Sequence, residues 1–186
     1  MAKIFIVRHA QDEDNARSIL NGRRDLGLTE LGKQQAREVG SKLDDKNISV
    51  IFCGPQLRHR TTAQIISEAL GGVAVIVNDD LVERDFGILT GRPLSDIKKY
   101  ARQILVTDGV DYFLDVQGSE SFESVYARAG HFLKYLSTQK QDGNSLVVTS
   151  GDTGKMIRAT YNNWSWEYGL KTPHFDNVGV IELGSG

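Results

Sequence analysis

A single cysteine, Cys53, stands among the 186 residues, so no internal disulfide can form and no cysteine cluster can hold a metal. That fits a reducing compartment, and the cytoplasm is the expected location. Long apolar runs are missing too: none approaches the ~20 residues a membrane span needs. The first apolar run, Ile4 to Val7, is too short for a signal-peptide core and leads straight into Arg8-His9. An excess of one charge is also absent. The net charge of −2 argues against nucleic acid as a partner and requires any anion-binding patch to be local. Neither repeats nor low-complexity tracts occur. What remains, 40% hydrophobic and 25% charged, is the composition of one globular domain over 1–186 with one sizeable core.

Ile4 to Val7 read as a buried strand. Residues 11–28 are polar and punctuated by glycine, a loop that holds Asn21-Gly22-Arg23-Arg24-Asp25. Thr29 caps a helix to about Leu43, with Leu31, Ala36, Val39 and Leu43 inward. Ile48–Cys53 is a second strand, Leu57 to Leu70 a helix, and Val73–Val77 a third strand. Residues 78–93 are loop, with Gly87, Gly91 and Pro93 as breakers, and Leu94 to Ile104 is read as a helix. Residues 105–120 read as irregular. Ser121 caps a long helix that buries Phe122, Val125, Ala129, Phe132 and Leu136. Ser145–Thr149 is a fourth strand, followed by a helix with Met156 and Ile157 inward, and Val178–Leu183 is a last strand. This alternation predicts a three-layer α/β/α domain with a mostly parallel central sheet.

Three strand ends carry the chemistry. The first strand ends at Arg8-His9, the second just before Arg58-His59-Arg60, and the fourth at Ser150-Gly151-Asp152-Thr153. In a parallel sheet these ends share one edge, where open α/β sheets bind ligands. Histidine there can act as nucleophile or acid/base. Two arginines and two helix N-termini make a phosphate site, since guanidinium forks and free backbone N–H groups both favour oxyanions. Adjacent strand residues point to opposite faces, so Arg8 and His9 need a turn to converge on one ligand.

Five motifs in order resemble the histidine phosphatase superfamily, in its phosphoglycerate-mutase-like branch. They are Arg8-His9-Ala10 with Asn15 beyond; Leu28-Thr29-Glu30-Leu31-Gly32 through Gln35-Ala36; Arg58-His59-Arg60-Thr61-Thr62-Ala63; Leu81-Val82-Glu83 through Gly87; and Gly118-Ser119-Glu120-Ser121. The resemblance spans Ile4 to about Leu183 and implies a phosphoglycerate-mutase-like fold and phosphoryl transfer without metal or cofactor. It implies that His9 is the nucleophile and carries a phosphohistidine. Arg8 and Arg58 would bind the phosphoryl oxygens, with Asn15, Gly22 and Gly151 beside them, and Glu83 would be the general acid/base.

One departure matters. The family has a second histidine after the fourth strand, and Ser150 occupies its place. Serine is shorter and neutral, though its hydroxyl still donates. Three readings stay open: a slowed phosphatase, a pseudoenzyme that binds phosphorylated ligands, or a histidine changed deliberately. Ser150→His is expected to raise kcat by about tenfold to a thousandfold. His59 is expected to flank the pocket rather than replace the missing group, His174 to lie elsewhere, and His131 to be structural or on the surface. Ala10 in place of the motif glycine is a milder departure. The chain is compact around the acid/base region, which favours hydrolysis over mutase chemistry. Arg23, Arg24, Arg84 and Arg92 fall in rim loops, where one or two are placed to hold a second anionic group. The expected partner is a phosphorylated small molecule; a homodimer is left open, with no sequence argument for it.

Overall fold

Residues along the central strands alternate between two core layers, and that alternation sets the architecture. The computed structural model describes residues 2–107, 109–140, 142–174 and 176–183. Its strands are β1 (Ile4–Arg8), β2 (Ile48–Cys53), β3 (Ala74–Val77), β4 (Gln103–Thr107), β5 (Val110–Asp115), β6 (Asn144–Thr149) and β7 (Val180–Glu182). Its α-helices are α1 (Glu13–Ala16), α2 (Glu30–Lys42), α3 (Leu57–Ala69), α4 (Ile97–Tyr100), α5 (Phe122–Thr138), α6 (Gly151–Tyr161) and α7 (Trp166–Lys171). Five strands form one sheet in the order β3-β2-β6-β1-β7. β1, β2, β3 and β6 are parallel, and β7 runs antiparallel to β1. Phe5, Val7, Ile51 and Val148 pack with Val39, Ala63 and Ile66 of α2 and α3. Ile6, Phe52 and Val147 pack with Phe132 of α5 and Met156 and Ile157 of α6 on the other face. The fold is therefore α/β/α in three layers with a mostly parallel sheet. No helix among the described residues is long and apolar enough to cross a membrane.

Four expectations need correction. The helix predicted over 94–104 is only α4, and the supposedly irregular stretch after it is the β4-β5 hairpin, paired from Gln103 to Asp115. Ile104, Leu105, Tyr112 and Phe113 are β-prone, and they bury more against the domain as strands than as a helix face. Leu31 is 52% exposed rather than inward, one residue off the buried stripe of Gly32, Ala36 and Val39. The last strand is shorter than read, and α7, which packs on α6, was not anticipated.

The fold fixes the segment after β1 from α2. Thr29 Oγ1 accepts from Gly32 N–H at 3.0 Å and donates to Gln11 Oε1 at 2.8 Å, while Gln35 Oε1 accepts from Gln11 N–H at 3.1 Å. A Cβ on Gly32 would lie 2.1 Å from the Gln11 carbonyl oxygen, a backbone atom that cannot rotate away. Gly32→Ala is thus expected to destabilise the fold by about 1–3 kcal/mol, the usual range for overpacking. Denaturant unfolding checks this; a variant as stable as the parent would mean that α2 does not clamp this segment.

Candidate active site

β1 and β6 run side by side, with Arg8 paired to Thr149, and His9 N–H continues the ladder to the Thr149 carbonyl at 2.8 Å. Beyond β1 the His9 ring lies buried, 5.4 Å between centroids from that of His59, whereas Arg8 lines the cavity described below. Ala10 N–H is held by Thr62 Oγ1 of α3 at 3.1 Å. His9 is 2% exposed, and its Nδ1 lies 2.8 Å from the Ala10 carbonyl. A carbonyl only accepts, so Nδ1 carries the proton and Nε2 presents a lone pair. Burial above all, then the charges of Arg58 and Arg8 and the neighbouring His59, depress the His9 pKa well below 6.5. The ring is therefore neutral at pH 7 and fit to attack an electrophile.

Glu83 is buried, and its Oε1 accepts from Arg84 N–H at 2.7 Å. Its own N–H donates to Gln56 Oε1 at 3.0 Å. Burial, and next the charge of Asp152, raise its pKa above 4.5. The two environments push in opposite directions, toward a neutral His9 and toward a Glu83 that holds its proton more tightly than an ordinary carboxyl, which is the direction an acid/nucleophile pair needs.

Arg58 is 0% exposed. Its Nη1 and Nη2 donate to the Arg24 and Gly22 carbonyls at 2.8 Å each, and its Nε, 3.6 Å from Asp12 Oδ2, makes no hydrogen bond. Gly22, expected beside the phosphoryl oxygens, supports Arg58 through its carbonyl. Ser150 stands at the start of α6, buried, and makes no capping hydrogen bond there. Its Oγ lies 2.7 Å from His59 Nε2. Position 150 and the buried His59 ring are therefore in direct contact.

A cavity of about 250 Å³ is lined in part by Arg8, Asn15, Glu83, Gly151, Asp152 and His174, while His9, Arg58 and Ser150 are buried and are not among its lining residues. Asn15 Oδ1 accepts from Asn177 at 3.0 Å, and Asn177 also donates to the His9 carbonyl at 2.7 Å. His174 was expected elsewhere. It lies at the site, its Nε2 accepting from Arg8 Nη1 at 2.9 Å. Burial and Arg8 lower its pKa, so it is a neutral acceptor rather than a second cation. His131 is exposed on α5, as expected.

The four arginines expected on the rim are otherwise engaged. Arg84 is buried, 2.7 Å from Asp152, with its guanidinium over Phe113 at 4.0 Å and Phe122 at 4.2 Å. Arg24 pairs with Asp14, Arg23 with Glu120 and Arg92 with Asp96. Sequence reasoning also missed Asp12, which caps α1 and takes Asn21 and Arg58 on its Oδ2. The Asp-Glu-Asp-Asn spacing is a capping signal that pointed to it. Nothing in the local sequence announced Asn177. Among the described residues no group of three His, Cys, Asp or Glu is arranged to hold a metal ion.

Comparison with known proteins gives a family match over residues 4–185, to the histidine phosphatase superfamily, branch 1. A putative phosphoserine phosphatase 2 of Hydrogenobacter thermophilus is 31% identical over 98% of this chain and 89% of that protein. A 2,3-bisphosphoglycerate-dependent phosphoglycerate mutase of Chelativorans sp. is 30% identical over 96% of this chain and 90% of that one. Among solved structures, phosphoserine phosphatase from Entamoeba histolytica in complex with 3-phosphoglyceric acid superposes with a TM-score of 0.78 at 26% identity, covering 98% of this chain and 90% of that one.

Proposed function

This chain belongs to the histidine phosphatase superfamily, and from that premise we propose that it hydrolyses small phosphomonoesters through a phosphohistidine on His9. The observation that carries the proposal is the tautomer of His9, whose Nε2 lone pair is free while Nδ1–H is anchored on the Ala10 carbonyl. His9 Nε2 attacks phosphorus; the P–N bond forms as the ester P–O bond breaks, and the Glu83 proton passes to the leaving oxygen. The charge that develops on the imidazole is met by the Ala10 carbonyl at Nδ1–H. Water then attacks from the vacated side, giving its proton to the Glu83 carboxylate, and the P–N bond breaks to release phosphate. Phosphoryl transfer asks mostly for positioning and charge neutralisation, which Arg8, Arg58 and the N-terminus of α6 supply.

The relatives named phosphoserine phosphatase support a phosphorylated small molecule as substrate. So does the small cavity with Asn15, Asn21, Asp152 and Asn177 on its wall. A cytoplasmic location belongs to the same proposal. Hydrolysis rather than mutase transfer is favoured because Arg23, Arg24 and Arg84 are paired with carboxylates and, among the described residues, Arg8 is the one arginine that lines the cavity.

The test is turnover of a panel of small phosphomonoesters with and without a chelator. Turnover is expected to be unchanged by EDTA. Loss on chelation, restored by magnesium or zinc, would assign the positive charge to a metal instead of the arginines.

A further inference from the structure

Gly54 ends β2, and a Cβ built on it would lie 2.2 Å from His59 Nδ1 and 2.6 Å from the Leu81 carbonyl oxygen. The missing side chain is what lets the His59 ring enter the core between β2, α3 and the end of β6. The ring is fully buried, its Nε2 lies 2.7 Å from Ser150 Oγ, and its centroid is 5.4 Å from that of His9. His59 Nδ1 has no hydrogen-bond partner. An orphaned buried N–H is rarer and costlier than an orphaned acceptor, so the His59 proton belongs on Nε2, donated to Ser150 Oγ.

A serine hydroxyl has one proton to give. With Oγ accepting from His59, that proton is left for another acceptor. No hydrogen bond donated by the Ser150 hydroxyl to another group occurs among the described residues, and its oxygen accepts none from the first turn of α6. Ser150 follows Thr149, the partner of Arg8 across the sheet, and lies buried at the carboxyl end of β6, the sheet edge at which β1 ends in Arg8 and His9.

We propose that His59 is a positioning residue which, through its Nε2–H, holds Ser150 as a hydrogen-bond donor to the phosphoryl group carried by His9. The proposal rests on the phosphohistidine reading above. Burial and Arg58 keep His59 neutral, so it serves Ser150 without stranding a second positive charge beside that arginine.

The test is a cycle of variants on the intact protein, read in kcat and KM with a small alkyl phosphate. Ser150→Ala removes the donor and is expected to lower kcat by about a hundredfold to a thousandfold, with little change in KM. His59→Leu fills the ring's volume without a donor and is expected to lower kcat by about tenfold or more. The double variant should be no slower than Ser150→Ala alone, because His59 acts only through the serine. His59→Gln, which keeps an N–H near the same point, should recover most of the loss. Losses that multiply in the double variant, a His59→Leu enzyme with unchanged kcat, or glutamine as slow as leucine would each overturn the proposal. Nitrogen chemical shifts of the labelled imidazole in the unmutated protein give a check that needs no variant: protonation at Nε2 supports the proposal and protonation at Nδ1 overturns it. Mapping the phosphoryl label separates the two readings. Label on His9 with multiplying losses sinks the His59 proposal alone, and label elsewhere sinks both.

Discussion

His9→Ala is expected to reduce turnover by about a thousandfold or more, as removal of a nucleophile generally does. The expectation follows from position as much as from residue type. Nδ1–H is fixed on a backbone carbonyl, so the ring cannot flip without giving up that bond, and Nε2 is the atom offered to the ligand. Depression of the pKa by burial and by Arg58 keeps that lone pair available down to acidic pH. Inorganic phosphate should still bind to the variant within several-fold, because Arg8, Arg58 and the α6 N-terminus remain, and calorimetry checks this. A His9→Ala protein that keeps a tenth of the parent's turnover would exclude His9 as the attacking group.

Glu83→Gln is expected to cost about a hundredfold to ten-thousandfold on alkyl phosphates, the range of general acid catalysis. Aryl phosphates, whose leaving oxygens need little protonation, should lose far less. Equal deficits on both substrates would assign Glu83 to binding or folding. The same residue shapes the pH profile. The rising limb of kcat/KM belongs to loss of the His9 proton and should lie well below 6.5, because burial lowers that pKa. The falling limb belongs to loss of the Glu83 proton and should lie above the usual 4.5, because burial and Asp152 raise it. Glu83→Gln should therefore remove the falling limb and leave the rising limb in place.

Much of this was legible in the sequence because the chemistry sits at strand ends. β1, β2 and β6 are short apolar runs, and Arg8-His9, Arg58 and Ser150-Gly151 follow them directly, so the sheet alone brings them together. The long helices were legible from Thr29 and Ser121, which cap as expected. The hairpin was not, because its apolar residues are too closely spaced to distinguish period two from a helix face over so short a stretch. The Asp108-Gly109 turn signal was there to be read.

Within the site, side-chain commitments were the hidden part. Arg84 reads as a rim cation but is drawn inward by Asp152 and by the rings of Phe113 and Phe122, residues 29 and more positions away in the chain. His174 and Asn177 reach Arg8 and His9 from more than 160 residues along, a distance across which local pattern carries no information. Ser150 was conspicuous as a departure. That it is matched by His59, with room made by Gly54, required coordinates.

The most direct test of the central claim is a rapid-quench experiment with a ³²P-labelled phosphomonoester, followed by peptide mapping under alkaline conditions that preserve phosphohistidine. The account predicts a transient, acid-labile label on the peptide that begins the chain, localised to His9 and absent from His9→Ala. Acid-stable label on Ser150, label on an aspartate, or turnover with no labelled protein at any time would contradict it.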